Sequence, residues 1–102
     1  MRKARVLMNG IFAGVLEQIN ENQYRFCYQP DYHGVPVSLT MPLEKKIYEF
    51  KQFPPFFEGV LPEGATLEAL LRKYKLDKND YFGQLLQVGN DLVGAVTVEK
   101  IV

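Results

Sequence analysis

The sequence has no tryptophan, one cysteine (Cys27) and one histidine (His33). A lone thiol closes no internal disulfide, and one Cys with one His falls short of the tetrahedral ligand set of a structural zinc site. Neither sign of charge is in excess, since 12 Lys and Arg balance 12 Asp and Glu. The chain as a whole therefore lacks the electrostatic footprint of a DNA- or RNA-binding protein. Long apolar runs are missing as well. Val6-Leu7-Met8, behind the basic Met1-Arg2-Lys3-Ala4-Arg5, is too short for a signal peptide, and no stretch approaches the length of a membrane span. The expectation is a cytoplasmic protein, with which the single cysteine agrees.

What is present is the composition of an ordinary globular protein, 47% hydrophobic and 24% charged over 102 residues. That length suits one domain, residues 1–102, burying roughly 60–70% of its unfolded surface. The first third alternates apolar and polar residues with period two, as a half-buried sheet requires: Val6 and Met8, then Ile11, Ala13 and Val15, then Tyr24, Phe26 and Tyr28. Asn9-Gly10 tolerates the paired positive φ of a type I′ turn, and Asn20-Glu21-Asn22-Gln23 supplies a looser one. An antiparallel meander from about Ala4 to Gln29 follows.

Residues Pro30 to Gly64 hold all six prolines and little periodicity, which predicts irregular but ordered chain. Two helices are expected after it. Thr66 is the expected cap of the first, whose Leu67, Leu70, Leu71 and Tyr74 form one apolar stripe. Asp77 is the expected cap of the second, with Asp80 in its first turn, Leu76 stapled to Tyr81, Phe82, Leu85 and Leu86 buried, and Gly89 at its end. Gly94 to Val98 reads as a last strand returning to the sheet. The fold class is α+β, a small antiparallel sheet packed with about two short helices.

Catalytic chemistry finds little support. A nucleophilic site would have to pair Cys27 with His33 across Pro30, and an isolated strand cysteine usually serves as a small hydrophobe. Glu58, Glu63 and Asp91 suit turns or solvent as well as acid/base work, and sequence spacing does not bring them together. The glycines precede no Gly-Lys-Ser/Thr, and the His-Arg-Asp and Asp-Phe-Gly kinase signatures are absent. No catalytic residue, metal or cofactor is expected. The dominant feature is instead Tyr48 to Phe57, with five aromatics in ten residues stiffened by Pro54-Pro55. Rings on stiff backbone either plug the open face of a thin sheet or anchor a partner.

Three segments in order, Pro36-Val37-Ser38-Leu39-Thr40-Met41-Pro42-Leu43, Pro54-Pro55-Phe56-Phe57-Glu58-Gly59-Val60-Leu61-Pro62-Glu63-Gly64 and Leu85-Leu86-Gln87-Val88-Gly89-Asn90-Asp91-Leu92-Val93-Gly94-Ala95-Val96, resemble the N-terminal domain of HipA-family toxin kinases. The similarity runs from the first strand to Val98. It departs at Val60, where the family more often has Leu, and at Leu92-Val93, where a Cys-Ala pair is common. In full-length members a Ser/Thr kinase body follows, with a Gly-rich loop, a catalytic Asp and a metal-binding Asp, and none of these lies in this chain. The resemblance is thus to the stand-alone form, the HipS type of the three-component HipBST systems. It implies an antitoxin that binds and inhibits a HipT-like Ser/Thr kinase toxin, with a HipB-like DNA-binding protein as a further partner. Inhibition would come from side chains inserted into the kinase cleft or from a Gly-rich loop held in a shape that cannot take ATP. The partner-binding residues expected on this reading are Phe53, Phe56, Phe57 and Leu61, with Glu58 and Glu63 facing basic residues around the phosphate-binding cleft. The alternative is a structural N-terminal piece of a HipA-type kinase with no inhibitory role of its own.

Overall fold

The computed structural model describes residues 2–92 and 94–101, so Met1, Val102 and Val93 of the third family segment lie outside the described residues. The chain opens with the expected meander of β1 (Arg2–Met8), β2 (Ile11–Asn20) and β3 (Gln23–Tyr28). Asn9 and Gly10 have φ of 51° and 82°, the two positive values that match the turn to the strand twist. Two more strands complete the antiparallel sheet. β4 (Ile47–Phe50) pairs with β3 and β5 (Val96–Lys100) pairs with β1, giving the order β4-β3-β2-β1-β5.

One irregularity changes which side chains of β2 reach the core. Val6 pairs with Gly14 and Leu7 with Phe12, so Ala13 is an extra residue bulged into β2. Beyond it the alternation changes phase. Leu16 is fully buried, whereas Val15, expected beside Ala13 on the core face, belongs with Glu17 to the opposite one. Ile11 stands at the hairpin end and is 61% exposed.

The segment expected to be irregular holds regular structure in two places. β4 is only four residues long, too short for alternation to be legible, and Tyr48 and Phe50 are its half-buried positions. Pro54 and Pro55 open a short helix, α1 (Pro55–Gly59), because a proline at the first helical position loses no intrahelical hydrogen bond. The helices that follow, α2 (Gly64–Tyr74) and α3 (Tyr81–Val88), start at other residues than expected. Glu63 rather than Thr66 is the cap residue of α2. Asp80, not Asp77, caps α3 by accepting from the Gly83 amide at 3.1 Å, while Asp77 closes the preceding turn by accepting from the Asn79 amide at 2.7 Å. A single 3₁₀ turn, Gly89–Asp91, leads towards β5, which begins at Val96 rather than Gly94.

The core lies on one face of the sheet. Val6, Leu16, Phe26, Tyr28 and Val98 face Phe57, Phe82 and Leu85, all fully buried or nearly so. Rings interlock edge to face there, Tyr24 with Phe53 at 5.5 Å and Phe26 with Tyr28 at 4.8 Å. Each such ring, removed from water, stabilises by roughly 1.5–3 kcal/mol. Tyr28 also organises the first family segment. Its hydroxyl donates to the Met41 carbonyl at 2.5 Å and accepts from the Val37 amide at 2.9 Å, so one buried oxygen brackets the turn that carries Leu39. Burial raises the Tyr28 phenol above its ordinary pKa.

Arg2 fastens α3 to the sheet. Its guanidinium donates to both Asp80 carboxylate oxygens at 2.7 and 3.2 Å and to Gln18 Oε1 at 2.8 Å, and lies 5.1 Å over the Phe82 ring. The hydrogen bond from Arg2 holds the Asp80 carboxyl below its ordinary value of 3.8. A lowered folded-state pKa stabilises above the unfolded value, and that contribution disappears as pH falls through the folded one. Asp80→Asn keeps the cap and removes the charge. It is expected to lower stability at pH 7 by about 0.5–1 kcal/mol, with the difference from wild type shrinking steadily below pH ~4. Urea midpoints at neutral and acid pH measure this, and a difference that persists at acid pH refutes it.

Candidate functional site

Of the three α-helices among the described residues, α2 is the one that buries no residue. Left-handed residues bound it, Gly64 at φ 61° and Lys75 at φ 55°, and they turn the chain sharply away from and back to the body. Its stripe of Leu67, Leu70 and Leu71 is only half-covered, and Tyr74 is 41% exposed. Between α2 and the body runs an open cleft of about 700 Å³. Val60, Leu61 and Pro62, just after α1, form one wall, Ala69 and Leu70 of α2 another, and Val88 and Leu92 the floor at the end of α3. Lys73, Gln87 and Asp91 supply polar groups to the lining. The lining is therefore mostly apolar, with a few polar groups.

The second and third family segments, far apart in sequence, meet in this cleft through Leu61 and Leu92. Of the six residues expected to bind a partner, Leu61 alone lines it. The structure places Phe53 and Phe57 in the core, 5% and 0% exposed, where together with Phe82 they cover Tyr24 and Phe26. Phe56 is half-buried against Phe57, with ring centroids 5.1 Å apart. Glu58 and Glu63 are exposed, and neither lines the cleft. The cleft residues of α2 were visible in sequence as an apolar stripe, but nothing there distinguishes a stripe that is fully covered from one left half open.

The residues weighed for catalysis are not gathered. Cys27 lies on the sheet face opposite the core, whereas the loop carrying the exposed His33 packs on the core face through Tyr32, stacked on Tyr28 at 6.0 Å. Asp91 lines the cleft without Glu58 or Glu63. Among the described residues no cluster of three or more His, Cys, Asp or Glu is placed to hold a metal ion, and no helix is long and apolar enough to cross a membrane.

A meander closed by a returning strand, with a short helix, a set-off helix and a capped helix on one face, defines a small α+β domain. Residues 4–99 match the family described as HipA N-terminal domain, and the chain belongs to that family. An uncharacterised protein of Haemophilus influenzae (strain ATCC 51907 / DSM 11121 / KW20 / Rd) is 31% identical over 100 residues, covering 98% of this chain and 93% of that protein. Among solved structures, an N-terminal domain of HipA toxin superposes with a TM-score of 0.80 at 30% identity, over 100% of this chain and 94% of the other.

Proposed function

We propose that this chain acts as a HipS-like antitoxin, docking through the cleft beside α2 onto a HipT-like Ser/Thr kinase toxin and holding it inactive, in a complex that a HipB-like DNA-binding protein joins. The observation that carries this reading is the cleft itself: two segments typical of HipA N-terminal domains line an apolar concavity against a helix that buries nothing of its own. Support also comes from the family, whose named structural neighbour belongs to a toxin. Inhibition of this kind is population control. Converting a kinase from 1:99 to 99:1 in favour of the inactive state takes about 5.5 kcal/mol of differential affinity. An interface of about 800 Å² per partner supplies that when a few anchors are fully desolvated.

Leu70→Asp is the discriminating variant. The side chain is only half-buried, so the thermal transition is expected to move little, while kinase affinity falls at least about 100-fold, the loss of one well-desolvated anchor. Co-expression with a HipT-like kinase, followed by co-purification and substrate phosphorylation, measures both effects. Unchanged affinity and inhibition would remove the cleft from the interface. A coding sequence that reads uninterrupted into a kinase body would make the chain the amino-terminal part of a HipA-type enzyme instead.

A further inference from the structure

Among the described residues no helix covers the sheet face opposite the core, and that face is not uniformly polar. An antiparallel sheet with one solvated face normally presents polar side chains there. Here the register lines up Val15, Cys27 and Ile47 across β2, β3 and β4, with Arg5 beside Val15 on β1. Leu7 and Phe12, paired on the first hairpin, extend the apolar strip. Ile47 is 48% exposed and Phe12 37% exposed, a large apolar area to leave in water.

The adjoining row says what would cover it. Lys3 pairs with Glu17, Glu17 with Arg25 and Arg25 with Glu49, so charges of +, −, + and − run across β1, β2, β3 and β4. An alternating row with an even number of members is complementary to its own reverse, whereas an odd row would set like charges opposite. A two-fold axis lying in the interface, along the strands and between β2 and β3, reverses the row on the second molecule. Lys3 then faces Glu49 of the second copy, and Glu17 faces its Arg25. The same axis sets Val15 against Cys27 of the second copy and Arg5 against its Ile47. Closed two-fold pairing of one patch with itself is the commonest form of homo-oligomer. Aligned sheets cross at about 30°, an angle that displaces the central Glu17 and Arg25 pairs least. We propose that this face is the interface of a two-fold homodimer, with the strip from Val15 to Ile47 at its centre and the row from Lys3 to Glu49 fixing its register.

This interface lies across the sheet from the kinase cleft, so the two readings stand or fall separately. The test is sedimentation equilibrium of the full chain and of charge-reversed variants. Wild type is expected to be dimeric. Glu17→Lys sets two positive charges against each other at two symmetric places, as Arg25→Glu does with negative ones, and each is expected to weaken the dimer about 30-fold or more. Mixing the two variants restores every pairing, so a one-to-one heterodimer is expected to reappear at near wild-type affinity. No change in the stability of a single chain produces that result. Should either variant fail to fold, the exposed pair Lys3→Glu and Glu49→Lys provides the same complementary mixture. A monomeric wild type, variants that dimerise as wild type does, or mixtures that stay monomeric would each overturn the proposal.

Discussion

Phe57→Ala is expected to remove about 3–5 kcal/mol of folding stability, the range for deleting a buried aromatic ring and leaving its cavity. The ring is fully buried, 6.0 Å from Phe26 and 5.1 Å from Phe56, where α1 meets the centre of the sheet. Domains of this size hold about 5–15 kcal/mol in total, so the loss brings the chain close to unfolding at room temperature. Urea denaturation should show a lower midpoint with an unchanged slope. On the proposed function, affinity for a HipT-like kinase should fall only in proportion to the unfolded fraction, since a core ring would contribute to docking through the fold alone. A variant of wild-type stability that had lost affinity for such a kinase would instead place Phe57 in the proposed interface.

The second large effect falls on Gly89. Its φ of −54° is ordinary helical backbone, so no left-handed helix end requires the glycine. Proximity requires it. A Cβ at this position would lie inside contact distance of the Val98 carbonyl, because the 3₁₀ turn presses its backbone against β5. Since the obstructing atom belongs to the backbone, it moves only if the strand does. Gly89→Ala is therefore expected to cost about 3 kcal/mol, at the upper end of overpacking penalties. Gly59→Ala is the matched control. A Cβ there meets nothing within 4 Å, and the better helix former should leave stability unchanged or raise it by up to about 1 kcal/mol. Thermal unfolding of the two variants side by side decides the point. Equal transitions would mean that the turn can withdraw from β5 at little cost.

Legibility in the sequence followed the range of the interactions. The Asn9-Gly10 hairpin was readable because its determinants sit within the turn itself, and the stripes of α2 and α3 because periodicity accumulates over several turns of helix. The cap of α3 lies three residues beyond the expected Asp77 because Asp77 and Asp80 are both competent to cap. The choice fell to Asp80, which Arg2, 78 residues away, can also reach. The phase of β2 was hidden by Ala13, since a bulge is a property of a pair of strands and not of either alone. β4 was hidden by its brevity. For the site, two of the family segments meet at the cleft, while Phe53 and Phe57, read as docking anchors, lie in the core. Phe53 and Phe57 carry the same chemistry as a docking anchor, and only the position of the sheet beneath them separates the two roles. The cleft was not legible at all, because it is space left between elements whose separation is set by Gly64 and Lys75.

That separation has a consequence for how affinity would be tuned. A helix bounded by two sharp turns, with no side chain sealed beneath it, opens locally at a cost set by its own backbone bonds and one partly shielded stripe, well below that of the whole fold. A ligand that covers the stripe must first draw on the helical fraction of this segment, so its apparent affinity scales with that fraction. Exposed positions such as Glu68 and Arg72, which line no wall of the cleft, would then adjust the strength of docking through helix propensity alone.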